Sequence, residues 1–428
     1  EASRGAGHAT PLFSTITHRR SERLVRLIGS TDQQLVDTYH DKIRETALDG
    51  MPESERERRH FRLAETIEKN EGLVAAELLD MLSASSTAGE FDVAMSPRVF
   101  DLAHHFMQAR DQRAFVYQLL AAEQSLKAYA IEDALDLYNE AERLLPEQAP
   151  VTLRNRLCLA MGRVCLWNQE VDAAVERYHR AVDAAINEFD RARAYAGLGD
   201  VKRQVARFNQ ATGHYDDALN NLQSQRPRSR VTKVLSFLTK SFQILILPAD
   251  WHGARNDQET RIAVLKHDIS DALGRGVLLD KNFLDCINAL ASSALAMLQA
   301  GGMRHRAIGH AAASNLYSGM GFRWLGNLCL RRSKKSESEP EDPGLTGKLM
   351  LCQAEGSYYG GNPRQAESLL EQALSHLRRS GSLYELLTAL HVLRHARAYT
   401  SSATKELSAA RAEFELSNEI GNCLLYTS

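Results

Sequence analysis

Gly162, Ala174, Tyr178 and Ala181 return thirty-seven residues later as Gly199, Ala211, Tyr215 and Ala218, with the internal gaps of 12, 4 and 3 residues unchanged. Small and aromatic residues at fixed offsets restrict a chain to a stack of helical hairpins, because each unit buries its apolar face only on its neighbour. The same spacing occurs earlier as Ala122, Ala134, Tyr138 and Ala141, where Pro146 stops the second helix. It occurs later as Ala354, Ala366, Leu370 and Ala373. Small residues are needed where two helices cross closely, and large ones where they fill the gap between hairpins. Such a stack leaves one face of each unit free, which suits a binding scaffold rather than a catalytic pocket.

A net charge of −2 provides no global basic field to draw in nucleic acid or an anionic membrane. The six cysteines (Cys158, Cys165, Cys286, Cys329, Cys352 and Cys423) lie in apolar stretches without CxxC spacing, and are expected as buried free thiols in a reducing compartment. The N-terminal EASRGAGHATPLFSTITHRR has no apolar export segment. The most apolar run, Val234 to Pro248, contains Lys240 and Gln243 and is too short to span a bilayer. A cytoplasmic location is therefore expected, with no membrane partner. The missing initiator Met and the abrupt end at LLYTS suggest a fragment at both ends.

Partial alternation over 23–28 and 35–40, around Gly29-Ser30-Thr31-Asp32, predicts a β-hairpin. Asp41 and Ser54 are the expected caps of helices at about 42–50 and 54–69. Residues 84–95 read as a loop. Ser96-Pro97 then opens a helix with Leu102, His105 and Phe106 on one face. Arg226-Pro227, Leu247-Pro248 and Gly301-Gly302 interrupt the periodicity between 225 and 333, and the polar SKKSESEPEDPG at 333–344 reads as a linker.

These offsets resemble the tetratricopeptide repeat: closely over 115–220, less so over 345–380, and poorly between 225 and 333. Tyr39-His40-Asp41-Lys42-Ile43-Arg44-Glu45 resembles a second pattern. It is similar to the Met-His-Asp type motif in the winged-helix domain of signal-transduction ATPases with numerous domains. Residues 22–145 resemble the bacterial versions that also carry a serine/threonine kinase and tetratricopeptide repeats. The resemblance implies that His40 donates a hydrogen bond to the β-phosphate of bound ADP, while Asp41 caps the next helix. Read from the residues alone, His40 ends a strand and Asp41 merely caps.

Nothing else in the sequence completes a nucleotide site. There is no G-x-x-x-x-G-K-[ST]; Gly344-Leu345-Thr346-Gly347-Lys348-Leu349 is too short and lacks the hydroxyl that holds Mg²⁺. Kinase HRD and DFG motifs are missing too. The chain is expected to be no enzyme and to hold no cofactor itself. ATP or ADP enters only through an ATPase core upstream.

Other candidates weigh little. His391 and His395 share a helical face, but the HExxH glutamate and a third ligand are missing, so no metal is expected. His104 and His105 are adjacent and are expected on different faces. Gly319 to Gly326 follows no strand, as a dinucleotide loop must. Trp167, Trp251 and Trp324 are expected in the core. The interleaved charges of Glu53 to Arg62 suit a solvated helix laced with i,i+4 pairs. A winged helix can bind DNA, but no recognition helix rich in Arg, Asn and Gln is present, so nucleic acid is not an expected partner.

The expected fold is all-α: a tetratricopeptide-like right-handed superhelix of helical hairpins behind a short β-hairpin. Its parts are a winged-helix remnant (1–70), a helical connector (71–110), repeats (111–332, irregular from 225), the linker (333–344) and C-terminal helical repeats (345–428). The expected partner is a protein or peptide in the concave groove, with ATPase or kinase domains joined in cis. Repeat position offers Arg156, Arg163, Asn168, Arg191 and Lys202 as groove contacts. The leading reading is the sensor arm of a signalling ATPase or kinase-ATPase. A stand-alone tetratricopeptide adaptor and the regulatory module of a transcription factor are the alternatives.

Overall fold

A computed structural model describes residues 25–28, 35–38, 50–84, 96, 98–146, 148–246, 253–254, 256–279, 282–334, 342–380, 383–400 and 403–419. Two strands, β1 (Val25–Ile28) and β2 (Leu35–Thr38), pair antiparallel with Val25 opposite Thr38 and Ile28 opposite Leu35. Among the described residues every other regular element is helical. His40 and Asp41, residues 42–49 of the helix expected at 42–50, Trp251 and Cys423 lie outside the described residues. No helix among the described residues is long and apolar enough to cross a membrane.

The chain forms two compact units. The first contains 1–84, 92–121 and 140–145, and so holds the hairpin and helices α1 (Glu53–Glu71), α2 (Ala75–Ala84) and α3 (Val99–Gln108), with the start of α4 (Ala114–Lys127). Ala64 and Ile67 of α1 face the buried stripe Val99, Leu102, Ala103 and Phe106 of α3. Phe106 stacks on Tyr117 with ring centroids 5.4 Å apart, and the Arg113 guanidinium lies 4.2 Å above the Phe106 ring. Glu68 fastens this corner: it accepts from Tyr117 Oη at 2.6 Å and from Arg113 Nη1 at 2.8 Å.

Two local expectations change here. Pro52, not Ser54, stands at the cap position of α1, and no side chain caps it. His104 and His105 do not diverge. Adjacent helical positions differ by only about 100°, so a third residue placed between them meets both rings, and His60 of α1 does so.

The second unit contains 85–91, 122–139 and 146–428. Its hairpins pair α6 (Val151–Trp167) with α7 (Val171–Asp183), α8 (Glu188–Gln204) with α9 (Phe208–Asn221), and α11 (Asp257–Leu279) with α12 (Phe283–Gln299). The series continues as α13 (Met303–Gly319) with α14 (Arg323–Lys334), α15 (Pro343–Tyr359) with α16 (Pro363–Ser380), and α17 (Leu383–Thr400) with α18 (Ala403–Glu419). Helix α5 (Ile131–Leu144) follows α4, and α10 (Arg230–Ile246) packs on α12.

The repeat residues make the hairpin crossings. Ala134, Tyr138, Ala141, Ala174, Tyr178, Ala181, Ala211, Tyr215, Ala218, Ala366 and Ala373 are all buried. Tyr178 and Tyr215 occupy the room left by a glycine on the facing helix: a Cβ on Gly162 would stand 3.0 Å from the Tyr178 ring, and one on Gly199 2.5 Å from the Tyr215 ring. Two further copies stand in the stretch where the sequence periodicity is interrupted. Gly274, Cys286, Leu290 and Ser293 keep the 12, 4 and 3 offsets, as do Ser314, Gly326, Leu330 and Ser333. A Cβ on Gly274 would meet Leu290 at 2.6 Å, the same crossing with leucine in place of tyrosine.

Five hairpins also share one turn. Tyr129, Gln169, Ala206, Gly321 and Gly361 each have positive φ and stand seven residues after the first small residue of their copy. In each, the following N–H reaches back five residues, as Glu170 N to Cys165 O at 2.8 Å and Phe322 N to Tyr317 O at 2.8 Å. This is the Schellman closure, which satisfies carbonyls that a helix end leaves open.

The unit also meets itself. Tyr129 Oη donates to the Leu377 carbonyl at 3.1 Å, and Gln169 Nε2 to that of Asn418 at 3.0 Å. Leu383 and Leu387 of α17 share a cluster with Tyr129, Ile131 and Trp167. Cys158, Cys165, Cys286, Cys329 and Cys352 are buried thiols, none of them in a disulfide among the described residues. Trp324 departs from the expected core position: at the second residue of α14 it points outward and is 69% exposed.

Candidate binding groove

The second unit encloses a cavity of about 810 Å³. Its wall comes mainly from the first helix of successive hairpins: α6, α8, α11, α13, α15 and α17. Helical phase decides which side chains enter it. On α6 these are Leu159, Ala160, Arg163, Leu166 and Trp167; on α8 they are Arg193, Ala196, Gly197, Asp200, Arg203 and Gln204. Both sets follow the i, i+3/i+4, i+7 rule for one helical face.

That phase sorts the five residues singled out from the sequence. Arg163 lines the cavity, with its guanidinium 5.4 Å from the Trp167 ring. Arg156 is in phase but one turn beyond the lining; burial, above all, lowers its pKa. Arg191 and Lys202 stand two residues from Arg193 and Asp200, about 200° round the helix, and leave the groove. Asn168 is the C-cap residue of α6 and donates to Glu170 at 2.8 Å.

The wall is apolar between islands of paired charge. Arg275 is held by both partners: Nε donates to Asp271 at 2.9 Å, while Nη1 and Nη2 grip Glu355 at 2.9 and 3.3 Å. Asn315 donates to the same carboxylate at 2.8 Å. Burial works against the Arg275 charge, but Asp271 and Glu355 outweigh it and raise its pKa; Asp271 is lowered in turn, against its own burial. Lys348 reaches Asp268 at 2.7 Å, and that carboxylate with Glu385 holds the ammonium up against desolvation. Tyr215 Oη donates to Asp200 at 2.6 Å, and Arg203 lies 4.8 Å over the Tyr384 ring.

Arg193 differs from these cations. It lines the cavity, is half-buried, and makes no hydrogen bond or ion pair with the described residues. Burial, only partly offset by Asp190, pushes its pKa down to about 10. A desolvated guanidinium without a partner is a site for a carboxylate, which matches its fork of donors.

Sequence reasoning missed Arg193 and the paired charges. One signal was present: Lys348, Cys352, Glu355 and Tyr359 recur at helical spacing within a helix that has no other charged residue. His391 and His395 do share a face, with rings 4.6 Å apart. The nearby Glu413 is already bound by His391 at 2.8 Å and Arg394 at 2.9 Å, which occupies the carboxylate that a metal would need.

No protein-family model matches the chain, and no curated protein matches it. Among solved structures, an assembly chaperone of RpL4 (its residues 1–338) is 15% identical with a TM-score of 0.38, over 68% of this chain and 98% of that one. The Signal Transduction ATPase with Numerous Domains protein with a tetratricopeptide repeat sensor, from Pyrococcus horikoshii, is 11% identical, also at a TM-score of 0.38. That match covers 96% of this chain and 53% of that one, so this chain spans about half its length.

Proposed function

We propose that the second unit is a protein-interaction scaffold whose groove takes an extended peptide segment and seats one of its carboxylates on Arg193. The observation that carries this reading is the unpaired, half-buried guanidinium in a wall where the neighbouring charges are already matched. Partly exposed apolar side chains of the lining, such as Trp167, Leu265, Leu290 and Met320, offer area for side chains of the segment. The paired charges fix its register rather than its affinity.

The motif around Tyr39 to Glu45 supports a wider role as the sensor arm of a signalling ATPase or kinase-ATPase, with peptide binding biasing two states of a nucleotide-bound core. A stand-alone adaptor needs the same groove and no nucleotide.

The test is fluorescence anisotropy with a library of ten-residue peptides, sorted by acidic, basic and apolar content. Acidic peptides bind the parent chain, and Arg193→Ala weakens them about ten- to a hundred-fold, the worth of one charged hydrogen-bonded contact. Equal binding by parent and variant removes Arg193 from the reading. No saturable binding by any peptide class removes the groove.

A further inference from the structure

We propose that His60, His104 and His105 form a transition-metal site at the crossing of α1 and α3, with Zn²⁺ as its occupant. His60 lies on the stripe of α1 that continues through Ala64 and Ile67, so packing on α3 carries its ring to the two histidines. His60 Nδ1 and His105 Nδ1 are 2.9 Å apart. The His104 ring centroid lies 5.6 Å from that of His60 and 5.2 Å from that of His105. One ligand atom from each of the three lies within 4.8 Å of the others.

Three convergent imidazoles make a defined donor set. Nitrogen ligands select Zn²⁺, Cu²⁺ or Ni²⁺ over Ca²⁺ and Mg²⁺, which take oxygen. Tetrahedral zinc, with Zn–N bonds of about 2.0–2.1 Å, spaces its nitrogens about 3.3 Å apart, so the Nδ1 pair need separate by only about 0.4 Å. The pKa of His60 and that of His105 are lowered, by burial first and then by neighbouring imidazole charge. His104 is exposed, which leaves the fourth position open to water or to a ligand from a partner.

Such a site ties α1 to α3 across the intervening chain. The crossing does not depend on it for folding, because Arg113, Tyr117 and Glu68 already fasten the same corner. Metal binding therefore adds stability to a folded unit, and variants of the ligands remain testable.

The experiment uses the full chain without an affinity tag, stripped with a chelator and titrated calorimetrically with Zn²⁺. Cobalt(II) serves as a spectroscopic probe of coordination number. The expected result is one Zn²⁺ per chain, four-coordinate cobalt bands, and a raised melting temperature with metal. His60→Gln and His105→Gln should each lower affinity about a hundred-fold or more, while the exposed His179→Gln leaves it unchanged. Circular dichroism without metal reports whether each variant folds, and His104→Gln supplies a second, solvent-facing ligand change if His60→Gln does not. The proposal fails if the parent shows no saturable binding, or if binding survives in the ligand variants. In that case the 2.9 Å contact is a hydrogen bond between two neutral rings.

Discussion

At the scale of single residues, the second unit places its titratable groups so that acid works against it. His310 of α13 is largely buried, and its pKa is pushed down to about 4, by burial first and then by Arg332 and Arg306. Because the folded pKa lies below the unfolded one, the unfolded chain binds the extra proton between about pH 6.5 and 4. Stability from this group is complete above pH 6.5 and is lost as pH falls through that window. Urea melts at pH 7 and pH 5 should show a smaller pH difference in His310→Gln than in the parent, by about 1–2 kcal/mol; equal differences would remove His310 as a contributor. None of this is written in the sequence. A histidine on a helix is neutral or charged according to what packs on it, and the field of Arg332 comes from the neighbouring helix. The convergence of His60 on His104 and His105 was hidden for the same reason, since it depends on where α1 crosses α3.

At the scale of the element, the hairpin is the unit of design, and its crossing and its turn make opposite demands. The repeat that begins at Gly199 puts both within seven residues. Gly199 faces the Tyr215 ring, and that ring is held by its hydroxyl on Asp200, so it has little freedom to withdraw. Gly199→Ala should therefore destabilise by about 1–3 kcal/mol through overpacking. Ala206 occupies the turn at φ 58°, a conformation that a Cβ disfavours. Ala206→Gly should stabilise by about 0.5–1 kcal/mol, the relief of strain less the added freedom of the unfolded chain. A pair of thermal melts in which both variants shift the same way would break the account. Where alanine and tyrosine mark the crossing, the repeat was legible in the sequence. Where Cys286, Gly326, Ser314 and Ser333 fill the same positions, it was not. The geometry asks for a small side chain and accepts any of four, whereas a sequence pattern asks for alanine. The turn was invisible too, because only two of its five αL positions carry glycine.

At the scale of the whole molecule, the second unit differs from a free-ended stack. Repeat arrays held by nearest-neighbour contacts open first at their ends. Here the Tyr129 and Gln169 turns are bonded to Leu377 and Asn418, and their apolar neighbours share a cluster with α17. Amide hydrogen exchange should show the backbone of α5 and α17 protected nearly as well as that of α11 and α13. A gradient of protection falling steadily toward both ends would mean that the closing contacts do not hold. The hairpin count was partly readable from the sequence, but not the closure, which joins residues 248 and 249 positions apart through one hydrogen bond each. Its consequence reaches beyond stability. An open array can gain or lose a repeat by duplication or deletion and remain whole. Here an inserted copy of forty residues, the distance from Ser314 to Ala354, would swing Tyr129 away from Leu377 and break the closing contacts. In this chain the number of repeats is a geometric constant rather than a variable that recombination is free to change.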